Sequence, residues 1–420
     1  MRLAIVTVGT RGDVQPLVAL GLRLRASGHD VTIVTHDDFE PMVTAHGFAF
    51  RRIGGSMKQL VESADGREWL ESGDSLRRYM KTMRRIFTPL IETWNSDVLA
   101  ATDGFDALLA YPFAVGAFHA AELRGVPIVM LPYVPFVPSR ELTHIFFPPP
   151  PFFCGIYNRL SWEIAMRAFW APFMQGHQAF RERIGLRRVP QPTLSHWVLD
   201  RHTPTVHLYS ALLEPRPSDW PSWVEVAGFC HLDTSPDWQP PPRLADFLAS
   251  GAPPVYVGFG SMTGRDPEEL ARIAVDAVRG ARQRAVMVTG WGGLGEADLG
   301  DDVLVLPDAP HDWLFPRCAA VVHHGGAGTT AAGLRAGRPT VVTPFFGDQP
   351  YWGRRVAALG AGPRPIQKRA LAAPALADAI SRAVNDAPMR GRAAELGERL
   401  RAEDGTGRAV SAIERFLGCA

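Results

Sequence analysis

His323 to Gln349 reads HHGGAGTTAAGLRAGRPTVVTPFFGDQ, and the order of textures around it decides the fold. AAVVHH has the length and content of a buried strand, AGTTAAGLRAG spaces its apolar residues as a helix does, and RPTVVTPF is strand-like again. Gly325 and Gly326 therefore sit at a strand-to-helix turn. Such a turn aims free backbone N–H groups and the positive helix end out of the carboxyl edge of a parallel sheet, where an anion such as a diphosphate binds. The missing side chains at Gly325, Gly326 and Gly328, with Ala327 among them, let that anion approach the backbone; Thr329 adds a hydroxyl and His324 a ring N–H. A plain tight turn before a well-packed helix accounts for the glycines equally well. Neither rival phosphate motif fits, because no G-x-G-x-x-G follows the first strand and no P-loop lysine is present.

The same alternation continues outward from this unit. PPVYVGFGS, RAVMVTG and DVLVLPD are further strands, and DPEELARIAVDAVRGA is a helix among them. GFGSMTG, Gly258 to Gly264, is a second glycine turn that would place Ser261 against the same anion, or else an ordinary connecting loop. In the other half RLAIVTV, DVTIVTH, DALLAYP and PIVMLPY are strands, and PLVALGLRLRASGH is a helix ending at Ser27-Gly28. Between Tyr111 and Trp170 aromatics crowd together and FFPPPPFF breaks any helix, so loops and short helices are expected there. Glu214 to Leu244, rich in proline and tryptophan, is the expected connector. The chain of 420 residues then divides into an N-terminal domain, 1–230, and a C-terminal domain, 245–404, with a linker at about 214–244. The last helical segment, RAVSAIERFLG within about 405–420, either finishes the second domain or crosses back onto the first, and the second course is expected.

Composition excludes more than it names. Apolar residues make up 46% and charged residues 21%, and the formal net charge is +1, which leaves no electrostatic footprint for nucleic acid. Cys154, Cys230, Cys318 and Cys419 are too scattered for a zinc pattern or a dithiol motif, so reduced thiols and a cytoplasmic setting are expected. MRLAIVTVGTRGD lacks the long apolar stretch of a leader, and no segment reaches the ~18 apolar residues of a membrane span.

HHGGAGT followed by GRP, P and DQ resembles the donor signature of the family 1 nucleotide-sugar glycosyltransferases, which have the two-domain GT-B fold. GTRGDVQPLVALGLRLRASGHDVT, Gly9 to Thr32, looks like the N-terminus of the family's sterol and antibiotic glycosyltransferase branches, and PHDWLFPRCAAVVHHGGAGTTAAGLRAGRPTVVTPFFGDQPYWG is most similar to the sterol glucosyltransferases. The resemblance implies an α/β chain of two Rossmann-like parallel-sheet domains facing a cleft. It places Ser261, His324, Gly325, Gly326, Ala327, Gly328 and Thr329 on the donor diphosphate, Asp348 and Gln349 on the donor sugar, and Thr10, Arg11 and Gly12 in the N-terminal loop near that sugar. Without the family spacing, Asp348-Gln349 would read as a solvated helix start before Pro350. Two departures stand out: the ribose-binding glutamate falls on Ala332, and the base-stacking tryptophan of plant members has no counterpart near Leu306 to Pro310. UDP-glucose is the expected donor, ahead of a dTDP-sugar.

The catalytic base of plant members is a histidine in the loop after the first strand. Here the matching residue is Asp13, as in the antibiotic and sterol branches, and the position of the orienting aspartate falls near Tyr111. A carboxylate with an ordinary pKa near ~3.9 is ionised at neutral pH and can accept the proton of an attacking hydroxyl. Asp13 can also cap the helix that runs to Ser27, and the two roles can coexist. The helix end with Ser261, Thr329 and His324 can offset the leaving diphosphate, so no metal is expected. Displacement by one acceptor oxygen implies inversion. Tyr111, Phe136, Phe146, Phe147 and Phe153 are candidates for an apolar pocket taking a sterol, polyketide or macrolide, or else they are ordinary packing. A third use, shallow peripheral contact with a membrane through FFPPPPFF, lacks the usual basic residues, and no stable insertion is expected. The competing functions are a nucleotide-sugar 2-epimerase on the same fold and a non-catalytic auxiliary protein.

Overall fold

The computed structural model describes residues 1–72, 75–190, 193–260, 267–288 and 300–419. It separates into two compact units, one gathering Met1–Leu60, Met80–Leu232 and Asp404–Ala420, the other Val61–Tyr79 and Asp233–Glu403.

The first unit is built on seven strands: β1 (Arg2–Val6), β2 (Asp30–His36), β3 (Ala49–Ile53), β4 (Ala107–Ala110), β5 (Ile128–Met130), β6 (Thr205–His207) and β7 (Val224–Val226). All neighbouring pairs are parallel, in the order β3-β2-β1-β4-β5-β6-β7. Leu3, Ile5, Leu108 and Leu109 are fully buried, as strands covered on both faces require, which is why their sequences run apolar without alternation. Val6, Leu108, Ala117, Trp170 and Phe173 share one core on one side of this sheet.

Three strands escape the apolar pattern. β3 (AFRRI) carries two arginines because it is the sheet edge, where charge discourages further pairing. β6 and β7 are three-residue strands. β7 lies inside the proline- and tryptophan-rich stretch and joins the sheet of the first unit. The expectation of loops and short helices up to Trp170 is corrected: Gly155–Arg183 is one helix of 29 residues. Trp162, Met166, Trp170, Phe173, His177 and Phe180 follow one another at three- and four-residue steps on its buried side, a spacing that aromatic crowding obscures. The helix at Gly405–Leu417 packs against the helix at Arg11–Ala26. Its Glu414 meets His29 at 3.1 Å, Arg415 pairs with Glu225 at 2.8 Å, and Arg408 donates to the Ala227 carbonyl at 2.6 Å.

The second unit has five parallel strands, β8 (Val255–Gly258), β9 (Ala285–Val288), β10 (Val303–Leu306), β11 (Ala320–His323) and β12 (Thr340–Val342), in the order β10-β9-β8-β11-β12. One face is covered by the cluster of Val257, Leu270, Val278, Val322 and Ile380, the other by Tyr256, Val286, Leu314, Phe315 and Val321. Residues from the N-terminal half join this unit: Val61 enters its core, and the rings of Trp69 and Tyr79 lie 5.3 and 5.9 Å from that of Phe346.

Both sheets wind outward in opposite directions from one adjacent pair of strands, β1 and β4 in the first and β8 and β11 in the second. Loops leaving the carboxyl ends of such a pair diverge and leave a crevice, which is where doubly wound sheets bind ligands.

Candidate functional site

Asp13 and Tyr111 stand at the crevice of the first unit. The chain leaves β1 through Thr7, Val8 and Gly9 and enters the helix at Arg11, placing half-buried Asp13 in its first turn; Tyr111 is the residue just after β4. Thr10 donates to Asp13 Oδ2 from its backbone N–H at 2.7 Å and from its hydroxyl at 3.2 Å, so the carboxylate does cap the helix. The Tyr111 hydroxyl donates to the same carboxyl group. Burial dominates these three bonds and pushes the Asp13 pKa up to about 6. Gly9, at φ +135°, makes the arrangement fit: a Cβ there would run into the Asp13 carboxylate.

Two residues not anticipated from sequence hold the backbone of Asp13. Its carbonyl accepts from the Tyr133 hydroxyl at 2.6 Å and from Thr7 Oγ1 at 3.0 Å. Tyr133 stacks on Tyr111 at 5.1 Å, Tyr111 meets the edge of Phe113, and Phe113 stacks on Phe169 at 5.3 Å, so an aromatic wall runs on from the acid. No spacing rule finds this wall, since it draws on three separate elements. Arg11 and Gly12 are exposed beside it, the Arg11 guanidinium donating to Gln15.

The other aromatic candidates are dispersed. Phe136 packs into the core of the unit and donates its N–H to His207. Phe146 packs on His144 at 5.0 Å, and Phe147 donates its N–H to the His144 carbonyl. Phe153 is 75% exposed just ahead of the long helix.

In the second unit the crevice lies at the carboxyl ends of β8 and β11. His324 follows β11, Gly325 takes φ +97°, and Gly326 caps the helix Ala327–Arg335. A Cβ on Gly325 would strike Val342 Cγ1 and press on the Gln349 carbonyl, so only glycine turns the chain here. Its N–H donates to His323 Nδ1 at 2.8 Å, which leaves the His323 proton on Nε2. Burial holds the His324 pKa down to about 4, so the ring is neutral at pH 7, and its Nδ1 is buried with no hydrogen-bond partner among the described residues. The ring lies against Gly260 of the β8 loop. Ser261 itself lies outside the described residues.

Gly328 is exposed, with open space where a Cβ would stand, and Thr329 beside it is half-buried. Asp348 immediately precedes the helix Gln349–Ala358, and its carboxylate accepts from Trp352 Nε1 at 3.0 Å. Gln349 is 4% exposed; its Oε1 accepts from the N–H groups of Phe345 and Phe346 at 2.8 and 3.2 Å, which leaves the amide nitrogen to donate elsewhere.

Chemically, the first crevice offers a carboxylate with a pKa near neutrality. The second offers a helix N-terminus, uncharged donors and an acid-amide pair.

Two family models match the chain. Residues 3–143 match the glycosyltransferase family 28 N-terminal domain, and residues 293–413 match the C-terminal domain of proteins like erythromycin biosynthesis protein CIII. Over 424 residues, 99% of the chain, it is 38% identical to sterol 3-beta-glucosyltransferase UGT80A2 and 37% identical to UGT80B1, both of Arabidopsis thaliana, covering 66% and 68% of their lengths. It is 35% identical to the sterol 3-beta-glucosyltransferase of Emericella nidulans over 30% of that protein. The chain thus spans about two-thirds of the plant relatives and under a third of the fungal one. Among solved structures, the glycotransferase of kitacinnamycin superposes with a TM-score of 0.72 at 22% identity over 99% of both chains. The calicheamicin glycosyltransferase CalG4 gives 0.71 at 21%, over 100% of this chain and 98% of its own. These two share the fold.

Proposed function

Because the chain belongs to the GT-B nucleotide-sugar glycosyltransferase family that includes the plant sterol 3-beta-glucosyltransferases, we propose that it transfers a hexose from a nucleoside-diphosphate sugar to a hydroxyl of an apolar acceptor. The acceptor class is a sterol or a similarly flat natural product, and the sugar is glucose, delivered from UDP-glucose in preference to a dTDP-sugar. The names of the curated relatives, sterol 3-beta-glucosyltransferases, support the sterol acceptor and the glucose.

The observation that carries the reading is the Asp13 carboxyl, raised to about 6 at the crevice beside β1. A base with that pKa is still ionised at pH 7 and takes a proton more readily than an ordinary aspartate. The acceptor oxygen attacks the anomeric carbon as Asp13 removes its proton. The bond from that carbon to the diphosphate oxygen breaks on the opposite side, and the configuration inverts. Thr10, Tyr111 and Tyr133 hold Asp13 in place, while Phe113 and Phe169 offer an apolar surface to the acceptor ring system.

The departing diphosphate lies on the backbone amides from Gly326 to Thr329, with the His324 ring and the Thr329 and Ser261 hydroxyls as further donors; Asp348 and Gln349 hold the sugar hydroxyls. Neutral donors and a helix end suffice for this charge without a metal ion.

Purified chain incubated with UDP-glucose, dTDP-glucose and a sterol panel tests the proposal, read by nucleotide release and product mass. Acceptor-dependent UDP release with a β-linked product supports it. Release that ignores the acceptor, or a retained configuration, refutes transfer by inversion, and activity abolished by EDTA and restored by Mg²⁺ refutes metal independence.

A further inference from the structure

Residues 61–79 belong to the second unit, although their sequence neighbours on both sides belong to the first. Val61 enters the core of the second unit and Trp69 packs against it, so apolar contact holds the segment there. Ser72 Oγ donates to the Trp69 carbonyl at 2.7 Å at the end of the helix Ala64–Glu71, and Tyr79 follows in the first turn of the helix Leu76–Phe87. The centres of the two rings lie 6.2 Å apart, and both reach a third ring, that of Phe346, at 5.3 Å from Trp69 and 5.9 Å from Tyr79.

Phe346 sits in the turn that carries the acid-amide pair. The N–H groups of Phe345 and Phe346 are the donors that Gln349 Oε1 accepts, at 2.8 and 3.2 Å, and this pair of bonds fixes the way the Gln349 amide nitrogen points. Asp348 has a tether of its own in Trp352 Nε1 at 3.0 Å, whereas Gln349 is oriented through the backbone of the two phenylalanines. The ring of Phe345 meets the edge of Phe259 at 5.9 Å, so the turn is gripped through both its aromatic residues. Burial pushes the Tyr79 hydroxyl up and the charge of Asp348 adds to it, which keeps that hydroxyl un-ionised within electrostatic reach of the acid.

We propose that Trp69 and Tyr79 are positioning residues for the donor sugar: packed on Phe346, they hold its N–H where Gln349 Oε1 needs it and so set the direction in which the Gln349 amide meets the sugar hydroxyls. The proposal rests on the reading that Asp348 and Gln349 hold the sugar. It confines the effect to the sugar half of the donor, because the diphosphate lies on a different turn, Gly326 to Thr329.

Calorimetric titration of the purified full chain with UDP and with UDP-glucose separates the two halves; dTDP and dTDP-glucose serve the same purpose if thymidine is the preferred base. Trp69→Ala is expected to raise the Kd for UDP-glucose about tenfold, since misplacement by about 1 Å is enough for such a loss, and to leave the Kd for UDP within about twofold. Trp69→Phe, which keeps a ring on Phe346, should restore most of the affinity. Gln349→Ala should weaken UDP-glucose alone, and adding Trp69→Ala to it should cost little more, because both changes remove the same contact. Where melting temperatures show that Trp69→Ala does not fold, Trp69→Leu, with its apolar bulk kept, is read in its place. Equal weakening of UDP and UDP-glucose by the Trp69 variant, unchanged affinity for both, or the same further loss on top of Gln349→Ala would each overturn the inference. If instead Gln349→Ala leaves UDP-glucose binding as in wild type, the sugar site itself is refuted, and the positioning role with it.

Discussion

At Asp13 a helix cap and the proposed base are one carboxylate, and the two roles set opposite demands. The folded pKa of about 6 lies above the ordinary 3.8 because burial penalises the charge. Protonated Asp13 therefore costs nothing below pH 4, and the ionised form weighs against the folded state increasingly as pH rises through 6. Asp13→Asn is expected to abolish transfer, by 10²-fold or more. The same variant should be more stable than wild type at pH 8 by about 1–2 kcal/mol, with the gain gone at pH 4, measured by urea unfolding at both pH values. In wild type, kcat/KM should fall tenfold per pH unit below about 6 and stay level just above it. The Tyr111 hydroxyl favours the ionised carboxyl, so Tyr111→Phe should move that acid limb to higher pH, which a pH–rate profile reads directly. Asp13 was legible in the sequence from the spacing of a known motif. The Tyr133 hydroxyl on its carbonyl was not, because 120 positions separate the two residues and only the fold joins them.

At the scale of elements, the turn after β11 separates two kinds of glycine. Gly325 is required by conformation, with φ +97° and Val342 in the way of any side chain, so Gly325→Ala should lower the melting temperature and UDP affinity together. Gly328 has nothing within 4 Å of the place a Cβ would occupy, and it lies inside a helix. Gly328→Ala should therefore leave stability unchanged or raise it by about 0.5–1 kcal/mol. If a diphosphate lies on this backbone, the methyl should still weaken UDP binding about tenfold, read by calorimetry. An affinity equal to wild type would move the diphosphate elsewhere. Strand-turn-helix texture made these elements legible, and β11 and β12 are each followed by a helix. The helix Gly155–Arg183 did not declare itself, because FFPPPPFF just ahead of it reads as a breaker, while its buried aromatics keep helical spacing only from Trp162 onward. Edge strand β3 hid behind its arginines, whose charge suits an edge.

At the scale of the molecule, each unit is assembled from pieces far apart in sequence. Composition and alternation gave the two sheets but not the placement of 61–79, since nothing in that stretch names Phe346 as its partner. A fragment of residues 233–403 would lack Val61, Trp69 and Tyr79 and uncover the apolar surface they contact. It is expected to bind the dye ANS and to aggregate, and fusing residues 61–79 to it should relieve both.

The helix Gly405–Leu417 carries the same logic into time. It packs against the helix Arg11–Ala26 and against the strand region around Ala227, yet it is synthesised after every other element of the first unit. The first unit, whose sheet is largely synthesised by Val226, cannot close over His29 and Ala227 until Glu414 and Arg408 emerge. The nascent chain must therefore wait with that flank of its opening domain uncovered, and a cell making this protein quickly would lean on chaperones to shield it during that interval.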